Sequence, residues 1–204
     1  MTKKTEEKTL SYYDKNAEAW AKAHHGFEAE SFWKDWMEKL HKLLPSGKVL
    51  EIGSGTGKDA SNLINLGYDY VGTDASKGLL KIAQERNSKA EFKNLRVQDL
   101  KDNFSENEFD GFWTAATLLH IPKDEREDSL QNIHTIVKNG GIGFISIKQG
   151  EGELEDETGR LFSYHSQDGF ADLLVKNGFE VIEKDIQPMS ESTIWLIYLV
   201  KVKK

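Results

Sequence analysis

A glycine-rich segment, Gly53-Ser-Gly-Thr-Gly57, constrains the fold of this chain most strongly. It follows a short apolar stretch at residues 48–52 and precedes helical spacing of apolar residues at Ala60, Leu63 and Ile64. A strand that runs through a glycine-rich turn into a helix is typical of the first unit of an open α/β sheet. Ligands of such sheets bind beyond the carboxyl ends of the strands. The segment therefore predicts a binding site at the end of the first strand.

The rest of the chain alternates apolar and helical segments, which predicts a parallel sheet with right-handed crossovers. Further strands are predicted at 68–73, within 91–97, and at 109–114, 142–147, 179–184 and 194–202. The last two strands are joined by too few residues for a crossover helix, so we expect them to pair antiparallel at one edge. The predicted fold class is α/β: a Rossmann-like, mostly parallel seven-stranded sheet with helices on both faces and an antiparallel last strand.

The amino-terminal part of the chain shows helical spacing instead. Tyr13 and Trp20 share one helical face, and a second apolar stripe ends at Pro45. We expect residues 1–45 to form a helical cover that belongs to the same domain as the binding domain at 46–204. A length of 204 residues agrees with one domain. A further helix is predicted after Pro122 and ends at Gly140-Gly141.

Composition excludes several classes of protein. The chain has no cysteine, which excludes disulfides, cysteine metal sites and a thiol nucleophile. Its histidines are scattered, so no metal is expected. A net charge of -7 makes nucleic acid an unexpected partner. No apolar run could span a membrane, and no apolar segment follows Lys3 and Lys4, so we expect a cytoplasmic protein without a secretory signal. The oligomeric state stays open.

Two acidic residues and one lysine indicate the kind of ligand. Asp74 ends the second predicted strand, 21 residues after Gly53, where a carboxylate can accept hydrogen bonds from ribose hydroxyls. It can also cap the helix that begins near Ser76. A dinucleotide fingerprint needs glycine where this chain has Lys58. Glu51 would repel a pyrophosphate but suits an ammonium or sulfonium group. An NAD-linked oxidoreductase remains an alternative.

Four segments, taken in order, resemble the motifs of class I S-adenosylmethionine-dependent methyltransferases. They are Val49-Leu-Glu-Ile-Gly-Ser-Gly-Thr-Gly57, Val71-Gly-Thr-Asp74, Phe109-Asp-Gly111 and residues 130–141. The resemblance extends over residues 10–204. It implies S-adenosylmethionine as cofactor, S-adenosylhomocysteine as product, and in-line methyl transfer to an oxygen, nitrogen or sulfur atom of a small molecule. A cofactor-binding module without transferase activity is a second alternative.

The resemblance also implies which residues bind the cofactor. Glu51 would help to hold its amino group, Asp74 would accept hydrogen bonds from its ribose, and Asp99 would face its adenine. The other implied cofactor residues are Gly53, Ser54, Gly55, Gly57, Ala75, Gln98, Leu100 and Thr114. For Asp99, a turn carboxylate without a ligand is the alternative.

A narrower resemblance links residues 112–122, 146–152 and 159–165 to a group of small bacterial methyltransferases whose substrates are mostly unassigned. His120 follows the fourth strand, so it is the candidate general base for a hydroxyl, amine or acid. The alternative is a packing or capping histidine before Pro122.

The candidate substrate residues are one arginine and three tyrosines. The fork of Arg160 can clamp a carboxylate or phosphate. An ion pair with Glu155, Asp156 or Glu157 is the alternative. Tyr12 and Tyr13 can close over the cofactor, and Tyr164 can form a wall of the site; packing and turn roles are the alternatives.

Overall fold

A nine-stranded sheet forms the centre of the computed structural model, which describes residues 3–24, 33–190 and 193–204. The strands are β1 Lys48–Ile52, β2 Asp69–Asp74, β3 Glu91–Asn94, β4 Phe109–Ala115, β5 Val137–Gln149, β6 Glu153–Glu155, β7 Leu161–His165, β8 Phe179–Ser190 and β9 Thr193–Val202. The helices are α1 Lys3–Ala23, α2 Lys34–Leu43, α3 Ala60–Asn65, α4 Lys77–Arg86, α5 Leu100–Asn103, α6 Arg126–Ile136 and α7 Gln167–Lys176.

Strand order places the binding region. Strands β3, β2, β1, β4 and β5 are adjacent in that order and parallel. Strand β9 pairs antiparallel with β5, and β8 pairs antiparallel with β9. The predicted mostly parallel sheet with a reversed last strand is thereby confirmed. Chain order reverses between β1 and β4, so a crevice opens at their carboxyl ends.

Strands β6 and β7 are additional to the seven that the sequence predicts. They pair antiparallel, and β7 continues alongside β5 through the pairs Lys148–Tyr164 and Gln149–His165. The outer strand is short and polar, and its Leu154 is exposed. Strand β7 is buried at three successive residues, Leu161, Phe162 and Ser163. Because neither short strand alternates buried and exposed residues, hydrophobic periodicity did not indicate the hairpin.

Two boundaries differ from the prediction. Helix α6 ends at Ile136 rather than at Gly140-Gly141, and β5 begins at once with Val137, which is fully buried opposite Phe109. The register of β5 shifts before Ile142, which accommodates the two glycines within the strand. Strand β8 extends to Ser190, through residues that were expected to form a loop.

Both faces of the sheet are covered by helices. Alternate residues of β4 point to opposite sides: Phe112 joins the cluster beneath α5, α6 and α7, whereas Trp113 joins the cluster beneath α2 and α3. Trp113 stacks on Phe144 of β5 with centroids 3.8 Å apart. This alternation with period two explains why two separate cores form on one sheet.

Helix α1 crosses the carboxyl edge of the sheet. Asp14 accepts hydrogen bonds from the Ser76 hydroxyl over 2.6 Å and from the amide of Gly78, at the start of α4. Thr9 accepts a hydrogen bond from the amide of Leu161 in β7 over 2.9 Å. The helix is thus attached at two points across the crevice. No helix in the described part of the chain is long and apolar enough to span a bilayer.

Candidate functional site

A cavity of about 570 Å³ lies between the carboxyl ends of the parallel strands and helix α1. Its size is that of a small-molecule site, and it occupies the crevice where the strand order reverses. Ten of the residues proposed from the sequence line it: Tyr13, Glu51, Gly53, Ser54, Gly55, Asp74, Ala75, Gln98, His120 and Arg160.

The glycine turn combines a tight contact with an open position. Gly53 has φ +75°, and a Cβ added there would lie 2.0 Å from Oγ1 of Thr117. A larger residue at this position is therefore excluded by a neighbouring side chain rather than by a ligand. Gly55 also has positive φ, but a Cβ there would meet nothing within 4 Å. The open position at Gly55 leaves room for a ligand close to the backbone.

Asp74 is held in one orientation. Its two carboxylate oxygens accept hydrogen bonds from the amides of Gly55 and Ser76, each over 2.8 Å. Burial raises the pKa of Asp74 to about 6, and the two amides oppose that shift. Ser76 caps α4 with its own hydroxyl, which accepts from the amide of Leu79. Asp74 is therefore available to a ligand while it also orders the start of α4.

Glu51 lies buried at the base of the cavity. It accepts a hydrogen bond from the hydroxyl of Tyr70. Burial, and then the nearby charge of Asp59, raises the pKa of Glu51 well above its ordinary value. A cationic ligand group beside this carboxyl would favour its ionised form. The base of the cavity therefore suits an ammonium or sulfonium group.

Gln98 connects the sheet to the cover. Its amide nitrogen donates to Glu125 over 2.7 Å and to Glu6 of α1 over 3.2 Å. Glu6 also contacts Arg96 at 3.2 Å. Gln98 thus lines the cavity while its amide helps to hold the cover helix.

Three implied cofactor residues lie away from the cavity. Gly57 faces α4, where an added Cβ would lie 3.0 Å from the backbone of Ala83, so it allows the turn to pack on that helix. Leu100 and Thr114 are fully buried in the protein interior. Thr114 lies one residue too early in β4, because Ala115, Ala116 and Thr117 line the cavity instead.

Three further candidates also lie outside the cavity lining. Asp99 is exposed and borders a smaller depression that adjoins the cavity at Ala75 and Arg96. Tyr12 packs beneath the guanidinium of Arg160, whose Cζ is 4.7 Å from its ring centroid. Tyr164 packs beside Phe162, with centroids 6.4 Å apart.

His120 and Tyr13 form a hydrogen-bonded pair. Nδ1 of His120 lies 2.6 Å from the carbonyl oxygen of Leu161, which can only accept, so this nitrogen carries the proton. Nε2 therefore accepts from the Tyr13 hydroxyl, at 3.0 Å. Burial lowers the pKa of His120 to about 4 and raises the pKa of Tyr13 to about 12. Both groups are neutral near pH 7, and the basic nitrogen of His120 faces the tyrosine.

Arg160 forms the ion pair that the sequence left open among three acidic residues. Oδ2 of Asp156 lies 2.8 Å from its Nη2 and 3.1 Å from its Nε. The guanidinium also lies over aromatic rings, with Cζ 5.2 Å from the centroid of Phe162. It lines the cavity with its charge already balanced by one carboxylate.

Sequence reasoning assigned no role to Lys148, Phe162, Trp195 or Trp20, all of which line the cavity. Lys148 follows the apolar part of a parallel strand, as Asp74 does. Because ligands bind at the carboxyl ends of such strands, this position could have predicted a site residue. Phe162 lies in the unpredicted hairpin. The described residues contain no group of three or more His, Asp or Glu side chains suited to a metal ion.

Comparison with known proteins indicates a methyltransferase domain. Residues 49–141 match the family model of a methyltransferase domain. The match covers the glycine turn and Asp74 and agrees with the S-adenosylmethionine-dependent methyltransferases that the motifs resemble. It supports these enzymes over the NAD-linked alternative that the glycine turn left open.

Curated relatives are similar to this chain over most of its length or over parts of it. An uncharacterized protein of Methanocaldococcus jannaschii is 29% identical over 178 residues, which are 86% of this chain and 80% of that protein. The methyltransferase chain spans 3–58% of the length of seven other curated relatives.

Two solved structures share the fold. The DhpI–S-adenosylhomocysteine complex has a TM-score of 0.77 at 20% identity, covering 100% of this chain and 99% of that one. The 1,6-didemethyltoxoflavin-N1-methyltransferase of Burkholderia thailandensis, crystallised with 1,6-didemethyltoxoflavin and S-adenosylhomocysteine, has a TM-score of 0.70 at 20% identity, covering 92% and 87%.

Proposed function

We propose that this methyltransferase moves the methyl group of S-adenosylmethionine to an oxygen, nitrogen or sulfur atom of a small molecule. The acceptor binds in the cavity beneath α1. One observation carries the proposal: the same cavity holds the oriented carboxylate of Asp74 and the Tyr13–His120 pair. A nucleoside-binding group and a proton-accepting group thus line the same cavity.

Four groups at the carboxyl ends of β1 and β2 fit the cofactor. Asp74 offers its remaining lone pairs to the ribose hydroxyls, and Glu51 lies where the cofactor's positive charge is favourable. Gly55 leaves the necessary open space. The hydroxyl of Ser54 is buried and has no hydrogen-bond partner within the described residues, so a polar ligand atom would satisfy it. Ala75 and Gln98 complete this side of the cavity.

Bound S-adenosylmethionine supplies a methyl group that is already activated by the sulfonium. The protein's own contribution is therefore mainly to position the two reactants, which can lower the barrier by roughly 7–11 kcal/mol. Helix α1 covers one side of the cavity and so limits the access of water to it. If the acceptor atom carries a proton, that proton can pass to the hydroxyl oxygen of Tyr13 while the tyrosine's own proton moves to Nε2 of His120.

The neighbour from Burkholderia supports a small-molecule acceptor, because it was crystallised with 1,6-didemethyltoxoflavin. The volume of the cavity supports the same class, since a cavity of about 570 Å³ takes small ligands.

Thermal unfolding with S-adenosylhomocysteine, S-adenosylmethionine and NAD tests the cofactor. A ligand at about 100 times its Kd adds roughly 2.7 kcal/mol, which raises the midpoint visibly. We expect both adenosyl ligands to raise it and NAD to leave it unchanged. Asp74→Asn should weaken S-adenosylhomocysteine binding, whereas Asp69→Asn, at the exposed start of the same strand, should not.

A screen with labelled S-adenosylmethionine then tests the transfer. Methyl transfer to a small molecule supports the proposal. Tight cofactor binding without transfer to any acceptor would favour the non-catalytic binding module instead.

A further inference from the structure

Lys148 occupies the end of the cavity opposite the glycine turn. It lies at the carboxyl end of β5, between Tyr164 of β7 and Trp195 of β9, with which it is paired in the sheet. Its Nζ is 4.3 Å from the ring centroid of Phe162 and 6.0 Å from that of Trp195. The backbone pairs on both sides fix where this ammonium group enters the cavity.

Lys148 has no anionic partner in the described ranges (3–24, 33–190 and 193–204), where no carboxylate oxygen lies within 4.0 Å of its Nζ. Asp156, whose charge acts on Lys148, is bound to Arg160. Burial and the charge of Arg160 lower the pKa of Lys148. An ammonium placed in this way is stabilised by an anion that the ligand itself brings.

The other carboxylates of the cavity lie elsewhere. Glu51 and Asp74 belong to the ends of β1 and β2, and Glu6 of α1 is held by Arg96 and Gln98. Asp59, Lys58 and Arg96 also line this side, so its acidic residues outnumber its basic ones by four to two. At the other side Lys148 contributes a positive charge, whereas the charge of Arg160 is balanced by Asp156. The positively charged methyl donor therefore fits the acidic side of the cavity, and a negatively charged acceptor fits the side of Lys148.

Aromatic rings surround the basic end. Phe162, Trp195 and Trp20 line the cavity, and Trp33 contacts Trp195 edge-on with centroids 5.5 Å apart. Such rings favour flat, apolar ligand groups, by stacking or by edge-to-face contact. They do not form a cage for a cationic acceptor, because Lys148 and Arg160 already lie over Phe162, at 4.3 and 5.2 Å.

We propose that the methyl acceptor is a planar aromatic carboxylic acid whose carboxylate binds the ammonium of Lys148 and whose ring lies among Phe162, Trp195 and Trp20. This inference rests on the proposed function. The carboxylate anchors the acceptor, and a hydroxyl or amino group on its ring is the nucleophile. The lone pair of that group forms the new bond to the methyl carbon as the bond from sulfur breaks. The proton of the group passes to the hydroxyl oxygen of Tyr13 as the tyrosine's own proton moves to Nε2 of His120.

Matched pairs of acids and amides test the anchor. The probes are 4-hydroxybenzoate with 4-hydroxybenzamide, and anthranilate with anthranilamide. Affinity is measured by calorimetry on protein saturated with S-adenosylhomocysteine. We expect the acids that bind to do so roughly tenfold to a hundredfold more tightly than their amides, as a charged hydrogen bond implies.

Variants assign that preference to one side chain. Lys148→Met should abolish the preference for acids, and Lys148→Arg should keep most of it. Both should bind S-adenosylhomocysteine like the natural chain, which shows that the fold is intact. Lys176→Met is the matched control, because Lys176 is 66% exposed and pairs with Glu127 outside the cavity.

The outcomes separate the two proposals. If S-adenosylhomocysteine binds but no acid binds better than its amide, or if Lys148→Met keeps the preference, the inference is wrong and the proposed function stands. If S-adenosylhomocysteine does not bind, the proposed function itself fails. Labelled methyl transfer to a bound acid, lost in Lys148→Met, would support both.

Discussion

The hydroxyl of Tyr13 donates a hydrogen bond to Nε2 of His120 over 3.0 Å, and this contact joins helix α1 to the turn after β4. The other nitrogen of His120 is bound to the carbonyl of Leu161 in the β6–β7 hairpin. Three parts of the chain thus meet at one imidazole. The cover helix contributes a side chain to the site as well as closing it.

Tyr13→Phe should lower kcat, because it removes the group between the acceptor's proton and His120. General acid–base groups accelerate a reaction by roughly 10²–10⁴-fold, which sets the upper limit of the expected loss in kcat. Steady-state kinetics with an acceptor from the screen measure it, and S-adenosylhomocysteine affinity should stay unchanged. Tyr12→Phe is the control, since Tyr12 lies outside the cavity lining. Equal kinetics in the two variants would contradict a proton-transfer role for Tyr13.

His120 should make the fold less stable in acid. Its pKa is lowered from 6.5 to about 4, so the unfolded chain binds more protons than the folded one between these values. Its contribution to the free energy of unfolding is complete above about pH 6.5. As the pH falls to about 4, up to about 3 kcal/mol of that contribution is lost.

Urea unfolding of the natural chain and of His120→Gln at pH 7 and pH 4.5 measures this loss. The variant should lose less stability over that interval. Asp74 has the opposite effect on stability. Because its pKa is raised, the folded state binds more protons than the unfolded state below about pH 6, so acid favours folding through this group. Comparing the two chains cancels that contribution, and parallel pH curves would argue against a neutral buried His120.

Cofactor affinity should fall in mild acid. The pKa of Asp74 is about 6, and ribose hydroxyls bind its ionised form most strongly. Calorimetry with S-adenosylhomocysteine from pH 8 to pH 5 should show weaker binding below about pH 6. The Asp74→Asn variant should bind weakly at every pH, and a pH dependence that survives this substitution would assign the effect to another group.

Gly53→Ala should destabilise the protein more than Gly55→Ala. Both positions have positive φ, which costs a residue other than glycine roughly 1–2 kcal/mol. Only at Gly53 does the new Cβ collide with Thr117, whereas the space at Gly55 is open. Urea unfolding compares the variants, and adding Thr117→Ala to Gly53→Ala should recover part of the loss. Equal losses at both glycines would show that strain alone decides the cost.

The spacing of residues along the sequence was sufficient to predict much of the fold. The alternation of strands and helices, the glycine turn and Asp74 were readable because each depends on residues close together in the chain. Parallel strands place their carboxyl ends at one edge of the sheet, so the positions of Glu51 and Asp74 in one cavity followed from the strand order.

Residues at strand boundaries were harder to place. Thr114 was proposed for the cofactor site, but it is fully buried, and the cavity begins at Ala115. A shift of one residue turns a strand side chain to the other face. Sequence periodicity does not locate the end of a strand to within one residue. The same limit applies to Leu100, which follows β3 and is also fully buried rather than part of the cavity lining.

The chain by itself determined the order of its strands and helices, the glycine turn and the acidic side of the site, because these depend on local conformational preferences and on the geometry of parallel sheets. Only the tertiary structure decided that Tyr13 meets His120, that Arg160 takes Asp156 of three acidic neighbours, and that Lys148 lies beside Phe162. The Tyr13–His120 contact joins parts of the chain that are 107 residues apart. The Lys148–Phe162 contact and the Arg160–Asp156 pair depend on the β6–β7 hairpin, which periodicity did not reveal. Such contacts form where packing brings side chains together, which no local pattern records.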